Sequence, residues 1–153
     1  MPTREHRDSV IINATPQVLY DMIADVTRMG EWSPICKACW WDEGHGPTVG
    51  SWFTGRNELP ERTWETRSQV VAAAPGVEFA WAVGGANTRW GYAFEAVEDG
   101  TRVTESWEML PAGVAWFQER FGEDADNQID IRADLARTGI PETLQAIKAA
   151  AEG

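Results

Sequence analysis

The sequence predicts an α+β fold in which a seven-stranded, curved antiparallel sheet wraps around a long C-terminal helix, with two short helices after the first strand. Three observations lead there. Apolar residues alternate with a period of two from Ala38 to Met109, and short polar turns divide that region. The stretch from Ile131 to Ala151 returns to a helical period. Nine tryptophans occur in 153 residues, most of them between Trp40 and Trp107. That length suits one domain with one core, spanning residues 1–153.

The first strand is Ser9–Asn13, rich in β-branched residues. Thr15-Pro16 supplies an N-cap followed by proline at the first helical position. Val18, Leu19, Met22 and Ile23 then share one helical face, and the helix closes near Asp25. A second short helix is expected over Val26–Trp32, stopped by Ser33-Pro34.

Six further strands are predicted at Cys39–Asp42, Ser51–Asn57, Thr63–Ala73, Glu78–Val83, Arg89–Val97 and Thr101–Met109. Their connections are short enough to require an antiparallel meander, and Asp99-Gly100 is the clearest hairpin turn. Pro111–Asn127 reads as loop with one helical turn around Trp116-Phe117. It is expected either as a lid over a pocket mouth or as a satellite cluster packing the terminal helix. In that helix Ile131, Leu135 and Thr138 give one register, and Ile140, Leu144, Ile147 and Ala151 another. Gly139 and Pro141 between them predict a kink.

A buried tryptophan removes about 150–250 Å² from water, which is roughly 4–6 kcal/mol at ~25 cal/mol/Å². Core stability therefore accounts for some of the nine, and a pocket for a bulky apolar guest accounts for others. Strand alternation sorts the faces. Val103, Glu105, Trp107 and Met109 point together, as do Trp90, Tyr92 and Phe94, and Phe79, Trp81 and Val83. Phe53, Gly55 and Asn57 form a further set, and Trp64, Thr66, Ser68 and Val70 a mixed one. A carboxylate at Glu105 among tryptophans is desolvated, which suits it to proton transfer or to binding a guest's hydroxyl. The structural alternative is a Glu105 paired with Arg56 or Arg89, or with an indole N–H.

Twenty-four acidic residues against 13 basic ones give a net charge of −11. Such a surface repels phosphate backbones and anionic lipid headgroups, so neither nucleic-acid binding nor stable membrane association is expected. No apolar run reaches the ~20 residues that span a bilayer, and Met1–Asp8 lacks a secretory pattern. A cytoplasmic protein with reduced Cys36 and Cys39 is expected. Cys36-x-x-Cys39 has no second cysteine pair for zinc, and Trp40-Trp41 continue it as strand rather than helix, so no metal or cofactor is assigned and the thiols are read as ordinary. His6 and His45 lie away from the expected pocket, which leaves no nucleophile–histidine pair.

The chain resembles the START-like (SRPBCC) superfamily of polyketide cyclase/dehydrase and lipid transport proteins, whose helix-grip fold is shared with the birch-pollen allergens. The resemblance is carried by Tyr20–Met29 with Glu31-Trp32-Ser33-Pro34, and by Gly50–Asn57. Phe79-Ala80-Trp81, Trp90-Gly91-Tyr92 and Gly100–Trp107 carry it further. It is closest to a branch of small actinobacterial proteins and extends from about Val10 to Ile147. It implies three kinds of activity. One is binding of a hydrophobic small molecule (a lipid, polyketide or aromatic metabolite) by Phe53, Asn57, Trp64, Trp81, Trp90, Tyr92, Glu105 and Trp107. Another is a polyketide aromatase/cyclase with Glu105 or Tyr92 as acid or base. The third is an interaction module with a filled core. A monomer or weak homodimer is expected in each case.

Overall fold

The computed structural model describes residues 4–153. Its sheet has seven strands, β1 (Glu5–Ile12), β2 (Cys36–Trp41), β3 (Trp52–Leu59), β4 (Arg62–Ala74), β5 (Glu78–Val83), β6 (Thr88–Val97) and β7 (Gly100–Met109). The spatial order is β1-β7-β6-β5-β4-β3-β2, and every pair is antiparallel. The meander is thus as expected, with β1 joining it on the far side of β7. Three α-helices accompany the sheet: α1 (Pro16–Ala24), α2 (Pro111–Phe121) and α3 (Ala125–Glu152). Val26–Glu31 is a 3₁₀ helix, and a second, Gly122–Asp124, links α2 to α3.

Local chemistry accounts for the boundaries. Thr15 caps α1 by accepting the Val18 N–H at 3.2 Å, and Pro16 follows in the first turn. Leu19, Tyr20, Ile23 and Ala24 are its buried side. α3 is 28 residues long and lies over β1 and β7. Two polar contacts fasten its end to the first strand. Lys148 Nζ donates to the Ile11 carbonyl at 2.8 Å, and the Asn13 N–H donates to the Glu152 carboxylate at 2.9 Å.

Two expectations are corrected here. Pro111–Asn127 is not loop, because α2 occupies most of it and α3 begins at Ala125. The first half of α3 also turns a different face inward. Ala125, Ile129, Ala133, Ala136, Ile140, Leu144 and Ile147 are buried, at spacings of three and four, whereas Ile131 is exposed. Close packing decides this register. The sheet presents side chains as large as Trp107, and a helix lying against them fits best with alanines. The helix continues through Gly139 and Pro141 without interruption.

Candidate functional site

The inward face of the sheet is organised in transverse rows. Val70, Trp81, Trp90 and Trp107 stand opposite one another in turn across β4, β5, β6 and β7. One step along, Phe79, Tyr92 and Glu105 form a second row. On the other side lie Phe53 and Ser68, then Gly55 and Thr66, then Asn57 and Trp64. Strand pleating places all of these on the face that α1 and α3 cover.

Every predicted wall residue is therefore on one face, though not in one state. Phe53, Trp81, Tyr92 and Trp107 are buried, while Trp64 and Trp90 are half-buried. Trp81 is the hub, with ring centroids 5.6 Å from Phe53, 6.0 Å from Phe79 and 5.9 Å from Tyr92. Asn57 is satisfied within the sheet, its Nδ2 donating to Thr66 Oγ1 at 3.1 Å. Trp64 sits at the β3–β4 end beneath the Arg62 guanidinium, 4.2 Å from its ring centroid. Sequence reasoning missed Tyr20, which comes from α1 and meets Phe79 and Phe94 edge-on at 6.1 and 5.9 Å. It also left out Trp41, 5.6 Å from Phe53.

Glu105 is 3% exposed, and its Oε1 has no hydrogen-bond partner. Burial pushes its carboxyl up to about 8, and the Tyr92 hydroxyl only partly opposes that shift. Tyr92 in turn is raised well above its ordinary value, first by burial and then by the Glu105 charge. Neither expected arginine neutralises Glu105. Arg89 pairs with Glu78 at 3.0 Å and Arg56 with Glu65 at 4.0 Å. The reason is strand parity: Arg56 and Arg89 neighbour the inward Asn57 and Trp90, so they point outward. At neutral pH the site therefore holds a neutral carboxylic acid, able to donate one hydrogen bond and accept others.

The aromatic side chains of this face pack against one another. Two clefts open beside β1, the second of them between the inward side of the sheet and α3. One, of about 150 Å³, crosses β1, β7 and β6 between Arg7, Arg89, Ser106 and Glu108. The other, of about 470 Å³, lies between His6 of β1 and Asp130, Ala133, Asp134 and Arg137 of α3.

Beside the inward face, α2 packs on α3. Phe117 and Phe121 stack at 5.5 Å, and the Arg132 guanidinium lies 5.2 Å from the Phe117 ring centroid. Trp116 closes this cluster, 5.1 Å from Phe117, while remaining 45% exposed.

Cys36 and Cys39 both face inward on β2, although residues three apart on a regular strand point to opposite faces. A bulge reconciles the two facts. Lys37 and Ala38 together oppose Arg56, so Cys36 stands across from Asn57 and Cys39 across from Gly55. The strand was expected to begin only at Cys39, because a bulge leaves no mark on the apolar period.

The sequence profile described as polyketide cyclase / dehydrase and lipid transport matches residues 3–138. No curated protein matches the chain. Among solved structures, the polyketide-cyclase-like protein Cgl2372 of Corynebacterium glutamicum is 49% identical, with 99% of this chain and 94% of that one covered and a TM-score of 0.72. The di-domain aromatase/cyclase StfQ of the steffimycin biosynthetic pathway is 15% identical, with a TM-score of 0.70 over 97% of this chain and 50% of that one. The corresponding di-domain protein BexL of the BE-7585A pathway is 19% identical, with a TM-score of 0.71 over 97% of this chain and 50% of that one.

Proposed function

Because the chain belongs to the polyketide cyclase / dehydrase and lipid transport family, we propose that it binds a hydrophobic small molecule, an aromatic or polyketide-like metabolite or a lipid, against the inward aromatic face. The observation that carries this reading is the unpartnered Oε1 of Glu105, buried among Trp and Tyr side chains. A buried polar atom without a partner is costly in a folded protein, by about 1–3 kcal/mol. A guest hydroxyl or carbonyl placed there recovers that cost, and the aromatic walls supply affinity through buried apolar area. Phe53, Trp64, Trp81, Trp90 and Trp107 are the proposed walls, with Asn57, Tyr92 and Glu105 as polar contacts. A guest reaches these buried side chains by separating the helices from the sheet.

Native mass spectrometry of the freshly purified protein tests this, followed by titration with apolar aromatic probes read by tryptophan fluorescence. A co-purifying apolar compound, or saturable binding that Glu105→Gln weakens, supports the reading. Absence of both sinks it in favour of an interaction module with a filled core.

A second reading, a polyketide aromatase/cyclase, is favoured by one specific arrangement. Tyr92 and Glu105 are cross-strand partners in a dry environment, which is suited to moving a proton to or from a bound carbonyl compound. In that case Glu105→Gln loses turnover of a poly-β-ketone substrate with binding largely retained, whereas a pure binder changes in affinity alone.

A further inference from the structure

We propose that Cys36 and Cys39 are a reversible dithiol–disulfide site of the folded protein, oxidised by hydrogen peroxide or a small organic peroxide. Their sulfurs lie 3.1 Å apart inside the sheet, and both side chains are 7% exposed. Three features of the fold build this pair. The bulge at Lys37–Ala38 turns both side chains to the same face. Gly55 opposite them leaves the space the two sulfurs occupy, since a Cβ there would stand 3.1 Å from Cys39 Sγ and 3.2 Å from Cys36 Sγ. Gly30 of the 3₁₀ helix abuts the Lys37 carbonyl and so seats the bulge. Two thiols brought together by a strand irregularity and a missing side chain are a built arrangement, unlike scattered core cysteines.

The two sulfurs also differ. The Cys39 S–H beside Cys36 favours a Cys36 thiolate and lowers its pKa, whereas Cys39 is held up by the same contact and by burial. Chemistry then has a direction. The Cys36 thiolate attacks one peroxide oxygen, breaking the O–O bond and releasing water or an alcohol after protonation, and becomes a sulfenic acid. Cys39 displaces the sulfenic hydroxyl, forming the S–S bond and releasing water. Peroxide is reduced by two electrons and the thiol pair is oxidised by two. Joining the sulfurs requires an approach of roughly 1 Å towards the ~2.05 Å disulfide bond. A small thiol reverses the step by exchange. Cys36 lies across from Asn57 and Cys39 across from Gly55, so the oxidation state adjoins the inward face of the sheet.

The test is graded hydrogen peroxide on the reduced, folded protein, with alkylation of remaining thiols, intact mass and peptide mapping. The expected product lacks two hydrogens, yields a linked Cys36–Cys39 peptide, keeps its folded circular-dichroism spectrum and returns to the dithiol with dithiothreitol. Cys39→Ser is expected instead to accumulate a sulfenic acid at Cys36 that reacts with dimedone. Three results on the wild-type chain each overturn the proposal: two unreacted thiols, oxygen added to both cysteines without a link, or a link formed only after unfolding.

Discussion

Tyr92 on β6 and Glu105 on β7 are direct cross-strand partners on the buried face of the sheet; the Glu105 charge raises the cost of ionising Tyr92, whereas the Tyr92 hydroxyl offsets part of the burial that raises Glu105. No cation shares the row. On the next strand, Asp8 stands opposite Glu105 and is itself acidic. Ionising this carboxyl therefore has to be set against the stability of the whole domain.

Glu105 is raised from an ordinary 4.5 to about 8 in the folded chain. Between those values the native state holds a proton that the unfolded state has released, so stability falls as pH rises through the window, by up to about 1.4 kcal/mol per pH unit. Below 4.5 both states are protonated and the slope from this group vanishes. Glu105→Gln should remove it. Urea midpoints measured from pH 4.5 to 8.5 should descend less steeply in the variant, and parallel curves would count against a neutral Glu105.

Trp107 is 2% exposed at the end of the Val70–Trp81–Trp90 row, while Trp40 is 38% exposed on the opposite face of its strand. Trp107→Ala is expected to cost about 3–5 kcal/mol through lost burial and a cavity. Trp40→Ala should cost well under half of that. Chemical denaturation of the two variants side by side measures the contrast.

Gly55→Ala places a methyl group against both cysteine sulfurs. A loss of about 1–3 kcal/mol is expected from overpacking. Adding Cys36→Ala to the same chain should restore part of the loss, giving a non-additive cycle. Strict additivity in thermal or urea unfolding would show that the sulfurs are not what the methyl meets.

At Gly113 the expected sign is opposite to helix propensity. Alanine normally stabilises a helix interior by about 1 kcal/mol relative to glycine. Here the added methyl runs into the Asn87 carbonyl and approaches Met109 Sδ at 2.8 Å. Gly113→Ala should lower the melting temperature and raise proteolysis within α2, which limited digestion and calorimetry can detect.

Much of this arrangement is written in alternation. Glu78–Val83 follows from the sequence residue for residue, and Val103, Glu105, Trp107 and Met109 are inward as their parity requires. What escaped depended on partners rather than period. Cys36 enters its strand through a bulge that only the neighbouring strand defines. Ala125, Ala133 and Ala136 are less apolar than Ile131 and Leu135, yet they take the inner face because the sheet's tryptophans leave little room. α2 buries only Gly113 and Phe117, and its Phe117 and Phe121 meet Arg132 of α3. For Glu105, parity excludes Arg56 and Arg89, but the presence of Tyr92 opposite follows only from strand register.

The pairing of β1 with β7 bears on how the chain reaches this structure. Ile12 finds its partner at Thr101, and Asn13 is held by Glu152, 139 positions away. Closing loops of that size is paid in chain entropy before the contacts form, so such topologies fold slowly for their size. Until β7 is in place, β1 has no strand beside it, and the tryptophan rows lack the helix that covers them. Refolding should therefore pass through a stage with exposed aromatic surface, in which self-association competes with completion of the sheet.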